Sequence, residues 1–389
     1  MTFYNRQVQL QTIMARNAPP IIYYGEAGVG KSALLQEAQR RIRNQPNAPT
    51  AVLLDFRCVG SEPSRVACVL ETLSTELFGS STYLARWRNQ EDQAVQIIRR
   101  LRELNNAYLF VDSADSCQDP HFWEWFESFI LKPVVTEEYA RLVFAGRNLI
   151  YLRHYELYNR VIGENLPPLE TVQGGPIEQL LTDLLKPKMS SAKFNLLLSN
   201  LVRLSYGYPL LAHRLGTYTA ENFNGQSLNA FRKELYCNVV LSYINNYMLD
   251  NINETSRDIL WWLCILRMYI HPDVIDPYLK QVSPQLANNS QQFLNRYVTD
   301  LRNNYIMNKD KSATLNSSVQ RIMIDCLEAT DINKLCQANY GAVQMYRNMI
   351  CDMPHGDEGV INDFEQEANY HFSEYQKYVP LTNARSNDD

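Results

Sequence analysis

The stretch that decides the fold is Ile21-Ile22-Tyr23-Tyr24-Gly25-Glu26-Ala27-Gly28-Val29-Gly30-Lys31-Ser32-Ala33-Leu34-Leu35. Ile21 to Tyr24 is a short β-prone run. Gly25 to Gly30 is a glycine-rich turn, and Lys31 to Arg43 combines helix-forming residues with apolar spacing. Gly25 to Ser32 fits the pattern G-x-x-x-x-G-K-[ST] without deviation. Each position has a physical task. Small residues let backbone N–H groups wrap phosphate oxygens. Lys31 reaches the terminal phosphates, the Ser32 hydroxyl is a magnesium ligand, and the following helix aims its positive end at the anion. The segment therefore predicts a nucleoside triphosphate site for ATP or ADP with Mg2+. Gly25, Glu26, Ala27, Gly28, Val29, Gly30, Lys31, Ser32 and Ala33 line it. The bland alternative is a structural glycine turn, and the strand before and helix after favour the phosphate reading.

Working outward, Ala51 to Cys58 reads as a second strand and residues 62–79 and 83–104 as helices. Tyr108 to Val111 is a short, wholly apolar third strand ending at Asp112. A helix carrying Trp123, Trp125, Phe126 and Phe129 follows, then a fourth strand in Arg141 to Ala145 and a fifth near Arg160 to Ile162. Apolar strands alternating with helices predict a parallel sheet covered on both faces. After about residue 172 the strand pattern stops. Helices are expected over 176–185, 192–205, 210–220 and 230–249. Between Glu254 and Leu327 the order is three helices, then short strands Tyr305 to Met307 and Ala313 to Leu315 around a polar turn, which is the order of a winged helix. The expectation is an α/β P-loop NTPase core with a parallel sheet over residues 1–172. A small helical domain (173–250), a winged helix (251–330) and a short helical tail (331–389) follow.

Asp112 stands where a parallel sheet presents its strand ends to the phosphate loop, so with Ser32 it is expected to hold the metal. Lys31, Asp112 and Arg147 are the expected catalytic residues. Arg147 follows the fourth strand, where a guanidinium can contact a terminal phosphate in a bidentate way, or simply form a surface ion pair. The residue after Asp112 is Ser113, not a carboxylate. Hydrolysis is then expected to be weak unless Asp115 or another acid activates water. Trp123 and Trp125 could stack a base, but their helical spacing favours core packing.

The chain has 389 residues and a formal net charge of −5, which argues against a surface built for polyanions. Arg40-Arg41-Ile42-Arg43 closes the helix after the phosphate loop, where cations complement the helix dipole. The eight cysteines include no CxxC pair and the six histidines no metal spacing. No apolar run reaches membrane-spanning length and no signal peptide is visible, so no membrane partner and a reducing cytoplasm are expected. In residues 252–330 eight Lys/Arg balance eight Asp/Glu, which points to a winged helix that packs within the chain and makes a nucleic-acid partner unexpected.

The ordered motifs resemble the STAND class of P-loop ATPases, which includes the NACHT and NB-ARC switches. Phe3-Tyr4-Asn5-Arg6-Gln7-Val8-Gln9-Leu10 is similar to the class's N-terminal motif, with Arg6 matching, Asn5 in place of glycine and Gln9 in place of glutamate. Val111-Asp112-Ser113-Ala114-Asp115 resembles its metal-binding strand, and Phe144-Ala145-Gly146-Arg147 its sensor arginine. Gly207-Tyr208-Pro209-Leu210 resembles the Gly-x-Pro motif, whose proline packs on adenine. Asn316 stands where many members carry a phosphate-sensing histidine in the second wing strand. The resemblance implies that Arg6 and Pro209 contact nucleotide. It implies an ATP-binding signalling switch that changes conformation and forms a nucleotide-gated homo-oligomer, in defence or signalling. No effector or long repeat sensor is visible, so a minimal form with a separately encoded effector protein, or a fragment, is expected. Two other functions stay open: a DNA-associated ATPase of the AAA+ type, serving an origin or transposition, and a scaffold that holds nucleotide for stability.

Overall fold

The computed structural model describes residues 3–15, 18–57, 64–117, 119–150, 152–187, 191–250, 252–267, 272–291, 293, 314–353 and 358–385. The chain forms two compact units. One comprises Met1–Glu170, Gly174–Leu180 and Tyr208–Leu210; the other comprises Thr171–Gln173, Leu181–Gly207 and Leu211–Asp389.

The first unit is built on strands β1 (Ile21–Tyr24), β2 (Thr50–Asp55), β3 (Ala107–Asp112), β4 (Ala140–Gly146) and β5 (Ile162–Asn165). They run parallel in the order β2-β3-β4-β1-β5. Parallel neighbours need long crossovers, and the helices between strands supply them. All six residues of β3 are buried, which is why it reads as an unbroken apolar run. Alternate side chains divide between the two faces. Ile22, Leu109, Val111, Leu142 and Phe144 join a core with Phe56, Phe122, Trp125 and Phe126. Tyr23, Phe110 and Val143 are buried on the opposite face, as are Leu34, Leu35 and Ala38 of helix Lys31–Arg43. β5 is an edge strand and is mostly exposed.

Trp123 and Trp125 pack as core residues, and the Trp123 indole donates to the Cys117 carbonyl at 2.7 Å. The basic run closing helix Lys31–Arg43 forms ion pairs within this unit. Arg40 and Arg41 both pair with Glu37, at 2.8 and 2.7 Å, and Arg43 pairs with Glu76 at 2.7 Å.

The second unit is helical among its described residues. Its longest element, Glu358–Arg385, packs along Ile332–Cys351. Gly341 lets helix Ile332–Cys351 approach helix Pro272–Val282 closely: a Cβ would stand 2.2 Å from Cγ1 of Val282. Helices Glu254–Leu263 and Pro272–Val282 lie in the segment read as a winged helix. The wing strand Tyr305 to Met307, the polar turn and Ala313 lie outside the described residues; Leu315 forms an isolated bridge. Helix Ser317–Thr330 follows, where no element was expected. Asn316 is its N-cap and not a strand residue, because its side chain accepts the Ser318 N–H at 2.9 Å. No helix among the described residues is long and apolar enough to cross a membrane.

Candidate nucleotide-binding site

The sheet order places the carboxyl ends of β1, β4 and β3 side by side, and everything in the site hangs from those three ends. β1 runs into the phosphate loop. Gly25 has φ +150°, and a Cβ there would lie 2.6 Å from the Leu166 carbonyl oxygen, so only glycine fits. Gly30 caps the following helix with φ +98° and no side-chain hydrogen bond, and the first turn carries no acidic residue. The first N–H groups of the helix therefore face the loop with no side-chain acceptor, an arrangement suited to an anion.

Lys31 sends its ammonium back into the loop, donating to the carbonyls of Gly25 and Glu26 at 2.8 and 2.7 Å. Burial lowers its pKa to about 8. Asp115 opposes that effect, Arg147 adds to it, and Asp112 and Glu26 oppose it.

The Ser32 hydroxyl donates to Oδ1 of Asp112 at 3.0 Å. Asp112 is buried, and the Ser113 N–H also donates to it at 2.8 Å. Desolvation raises its pKa, opposed by the Ser32 hydrogen bond and by Arg57. A second carboxylate lies beside it. Asp55 ends β2 in register with Asp112 and is bound by Arg57, whose Nη2 is 2.7 Å from Asp55 Oδ2 and 3.6 Å from Asp112 Oδ2. Sequence reading missed this pair. Its signal was present: Asp55 follows an apolar strand just as Asp112 does.

Asp115 bridges two strand ends. Its Oδ1 accepts the backbone N–H of Arg147 at 2.9 Å, and Gly146 leaves room for it, since a Cβ there would stand 2.9 Å from that oxygen. Arg147 is thereby anchored at the end of β4, close enough to Lys31 to lower its pKa.

Arg6 has a left-handed backbone, φ +61°. Its guanidinium donates to the Pro167 carbonyl and approaches the Val29 carbonyl at 3.5 Å, while its Nε is buried without a partner. Pro209 is brought to the same loop: its Cγ stands 3.9 Å from where a Gly30 Cβ would be, and the Leu210 N–H approaches the Gly28 carbonyl at 3.4 Å. The Tyr208 hydroxyl donates to Glu26. Thus Arg6, Lys31, Ser32, Asp112, Arg147 and Pro209 all lie around the phosphate loop. Among the described residues no group of three or more His, Cys, Asp or Glu could hold a metal, so the metal expectation rests on Ser32 and Asp112.

No family model and no curated protein matches the sequence. Solved structures do. The Walker-type ATPase of Pyrococcus abyssi is similar at TM-score 0.56 and 15% identity, over 82% of this chain and 96% of that one. Cdc6p from Pyrobaculum aerophilum matches at TM-score 0.46 and 14% identity, over 83% and 94%. The Aeropyrum pernix ORC1 protein in complex with DNA matches at 0.36 and 12%, over 83% and 93%. The first likeness shows the fold, a P-loop ATPase fold continued by a helical region.

Two expectations are corrected. The fold shown is that of a Walker-type ATPase, and the STAND-class signalling switch, with its gated homo-oligomer and separate effector, is set aside. The exclusion of nucleic acid is also withdrawn, because the segment's neutral net charge on which it rested does not describe its local charge. The physical reason is that a charge balance taken over 252–330 averages away local clusters: Arg321 in that segment shares a pocket with Arg203 and Arg232 outside it.

Proposed function

We propose that this chain is an ATP-binding ATPase of the AAA+ type that works in association with DNA. The observation that carries the reading is the convergence of Lys31, the Ser32–Asp112 hydrogen bond and the Asp115–Arg147 link at three neighbouring strand ends. The DNA part draws on the kind of protein that the matched structures represent.

The site's own residues fit a nucleotide with its metal. Ser32 Oγ and Asp112 Oδ1 form the all-oxygen pair that magnesium takes, and would hold it. The ion, when bound, supplies charge neutralisation at the phosphate oxygens. Lys31 exchanges its two loop carbonyls for phosphate oxygens, and the first-turn N–H groups donate beside it. Arg147, anchored through its backbone, offers a guanidinium at the end of β4. Asp115 has one oxygen engaged by Arg147 N–H; its other oxygen is the acceptor that orients a water and takes its proton. Pro209 packs beside the loop at Gly30.

Two measurements test the reading. Equilibrium binding of a fluorescent ATP analogue should be lost in Lys31→Ala. Duplex DNA should bind wild type with an affinity that falls as salt rises. ATP binding that survives Lys31→Ala overturns the nucleotide assignment. Absence of DNA binding at low salt with both ATP and ADP overturns the DNA assignment.

A further inference from the structure

The helical unit holds a pocket of about 240 Å³ whose lining includes Arg203, Tyr206, Arg232, Tyr236, Arg321 and Asp325. Helical periodicity builds it. Arg232 and Tyr236 are four residues apart on one helical run, and Arg321 and Asp325 are four apart on Ser317–Thr330, which packs against that run. The end of helix Ser191–Leu204 closes the third side with Arg203.

The internal hydrogen bonds leave the cations in excess. Tyr206, on a left-handed backbone (φ +50°), donates to Oδ2 of Asp325 at 2.6 Å and lies 3.1 Å from the Tyr236 hydroxyl. The single carboxylate is thus engaged by a hydroxyl. The Arg232 guanidinium lies over the Tyr236 ring at 5.6 Å. Arg203 and Arg321 are exposed, and their guanidiniums make no hydrogen bond or ion pair among the described residues. Three guanidiniums therefore share one small concavity with one carboxylate, and two of the three have all their donors available.

We propose that this pocket is a phosphate-binding site, separate from the nucleotide site, in which Arg203, Arg232 and Arg321 grip the oxygens of one phosphate group. Guanidinium forks match phosphate oxygens with paired, charge-assisted hydrogen bonds, and three forks exceed what a carboxylate's two oxygens require. The volume is below the ~300–1,000 Å³ of pockets that enclose drug-sized ligands, so the site takes a phosphate group and not a whole nucleotide. The phosphate can belong to a nucleic-acid backbone or to a free polyphosphate. The inference draws on the DNA reading only for the first source.

The test uses full-length protein carrying Lys31→Ala, which silences the phosphate loop, with and without Arg203→Ala/Arg321→Ala. Tripolyphosphate should raise the thermal midpoint of the first protein and leave that of the second unmoved. Binding of labelled duplex DNA, titrated against salt, separates the sources. A drop of about tenfold in affinity, with the salt slope smaller by about two, assigns the phosphate to DNA. Loss of the tripolyphosphate shift with DNA binding unchanged, or with no DNA binding in either protein, supports the site with a free anion. Arg321→Glu alone, in the Lys31→Ala protein, guards against a folding defect of the double variant and should also abolish the shift. ATP affinity in Arg203→Ala/Arg321→Ala with Lys31 intact should be unchanged. If tripolyphosphate and DNA respond equally with and without the arginines, the site does not exist.

Discussion

The hydroxyl of Tyr208 donates its hydrogen to the carboxylate of Glu26, joining the phosphate loop to a segment 182 residues later in the chain. Both residues are buried and both belong to the same compact unit. A hydrogen bond from a buried hydroxyl to a carboxylate contributes about 1.5–3 kcal/mol. Tyr208→Phe keeps the ring and deletes the donor. The variant should lose stability of that order in urea denaturation at unchanged m-value. Its ATP affinity should fall as well, because Pro209 and Leu210 then sit less firmly on the loop. Unchanged stability and affinity would mean that the contact has no consequence for the site.

Asp115 is the carboxylate on which hydrolysis should depend. It follows the end of β3 by three residues, and its Oδ1 accepts the Arg147 N–H. Asp115→Asn keeps an oxygen for that N–H and removes the base. General base catalysis contributes about 10²–10⁴-fold, so steady-state phosphate release should fall by at least ~100-fold. ATP affinity should stay within about threefold. Full turnover in Asp115→Asn would move the base elsewhere, with Asp55 beside Asp112 the next residue to replace.

The parts of this molecule legible in sequence are those written locally. The phosphate loop is a contiguous motif, and β3 announces itself as four apolar residues before an aspartate. β5 starts two residues and ends three residues later than its expected span, because an edge strand with exposed Ile162 and Glu164 only partly buried lacks an apolar run. What escaped was written in register and in distance along the chain. Asp55 meets Asp112 only because β2 pairs with β3, and Glu26 meets Tyr208 only after the chain has traversed another unit's helices. The charge argument failed for the same reason. Arg203, Arg232 and Arg321 are far apart in sequence and converge only in the fold.

Nucleotide binding should take up a proton near pH 8. Burial holds Lys31 at about 8, below its ordinary 10.5. A phosphate anion against the ammonium favours the charged form and raises that value. Binding is then full below about pH 8 and weakens as pH rises above it, where the free protein's Lys31 is neutral and must be protonated on binding. Calorimetric titrations at pH 8.5 in buffers of different ionisation enthalpy should show net proton uptake. Stability of the nucleotide-free protein follows the complementary sign. Between about pH 8 and 10.5 the unfolded chain binds more protons at this residue, so this contribution rises with pH. Identical heats in all buffers would place the ammonium in its ordinary range.

The helical unit contains a histidine that should make its stability sensitive to acid. His371 is fully buried, and its Nδ1 lies 2.9 Å from Oδ1 of Asn339, while Nε2 has no hydrogen-bond partner. An acceptor at Asn339 assigns the proton of the neutral ring to Nδ1. Burial lowers the pKa to about 3 from 6.5, and Arg267, which is paired with Glu367 at 2.6 Å, lowers it further. The folded state therefore holds the ring neutral. Below pH 6.5 the unfolded chain binds a proton that the folded chain refuses, so this contribution to stability is complete above pH 6.5 and declines as pH falls toward 3. His371→Gln retains an N–H donor for Asn339 and cannot titrate. Its thermal midpoint should fall less steeply than that of the wild type between pH 6.5 and 4.5, with the two curves converging at the acid end. Parallel curves across that range would show that the buried ring is not the titrating group.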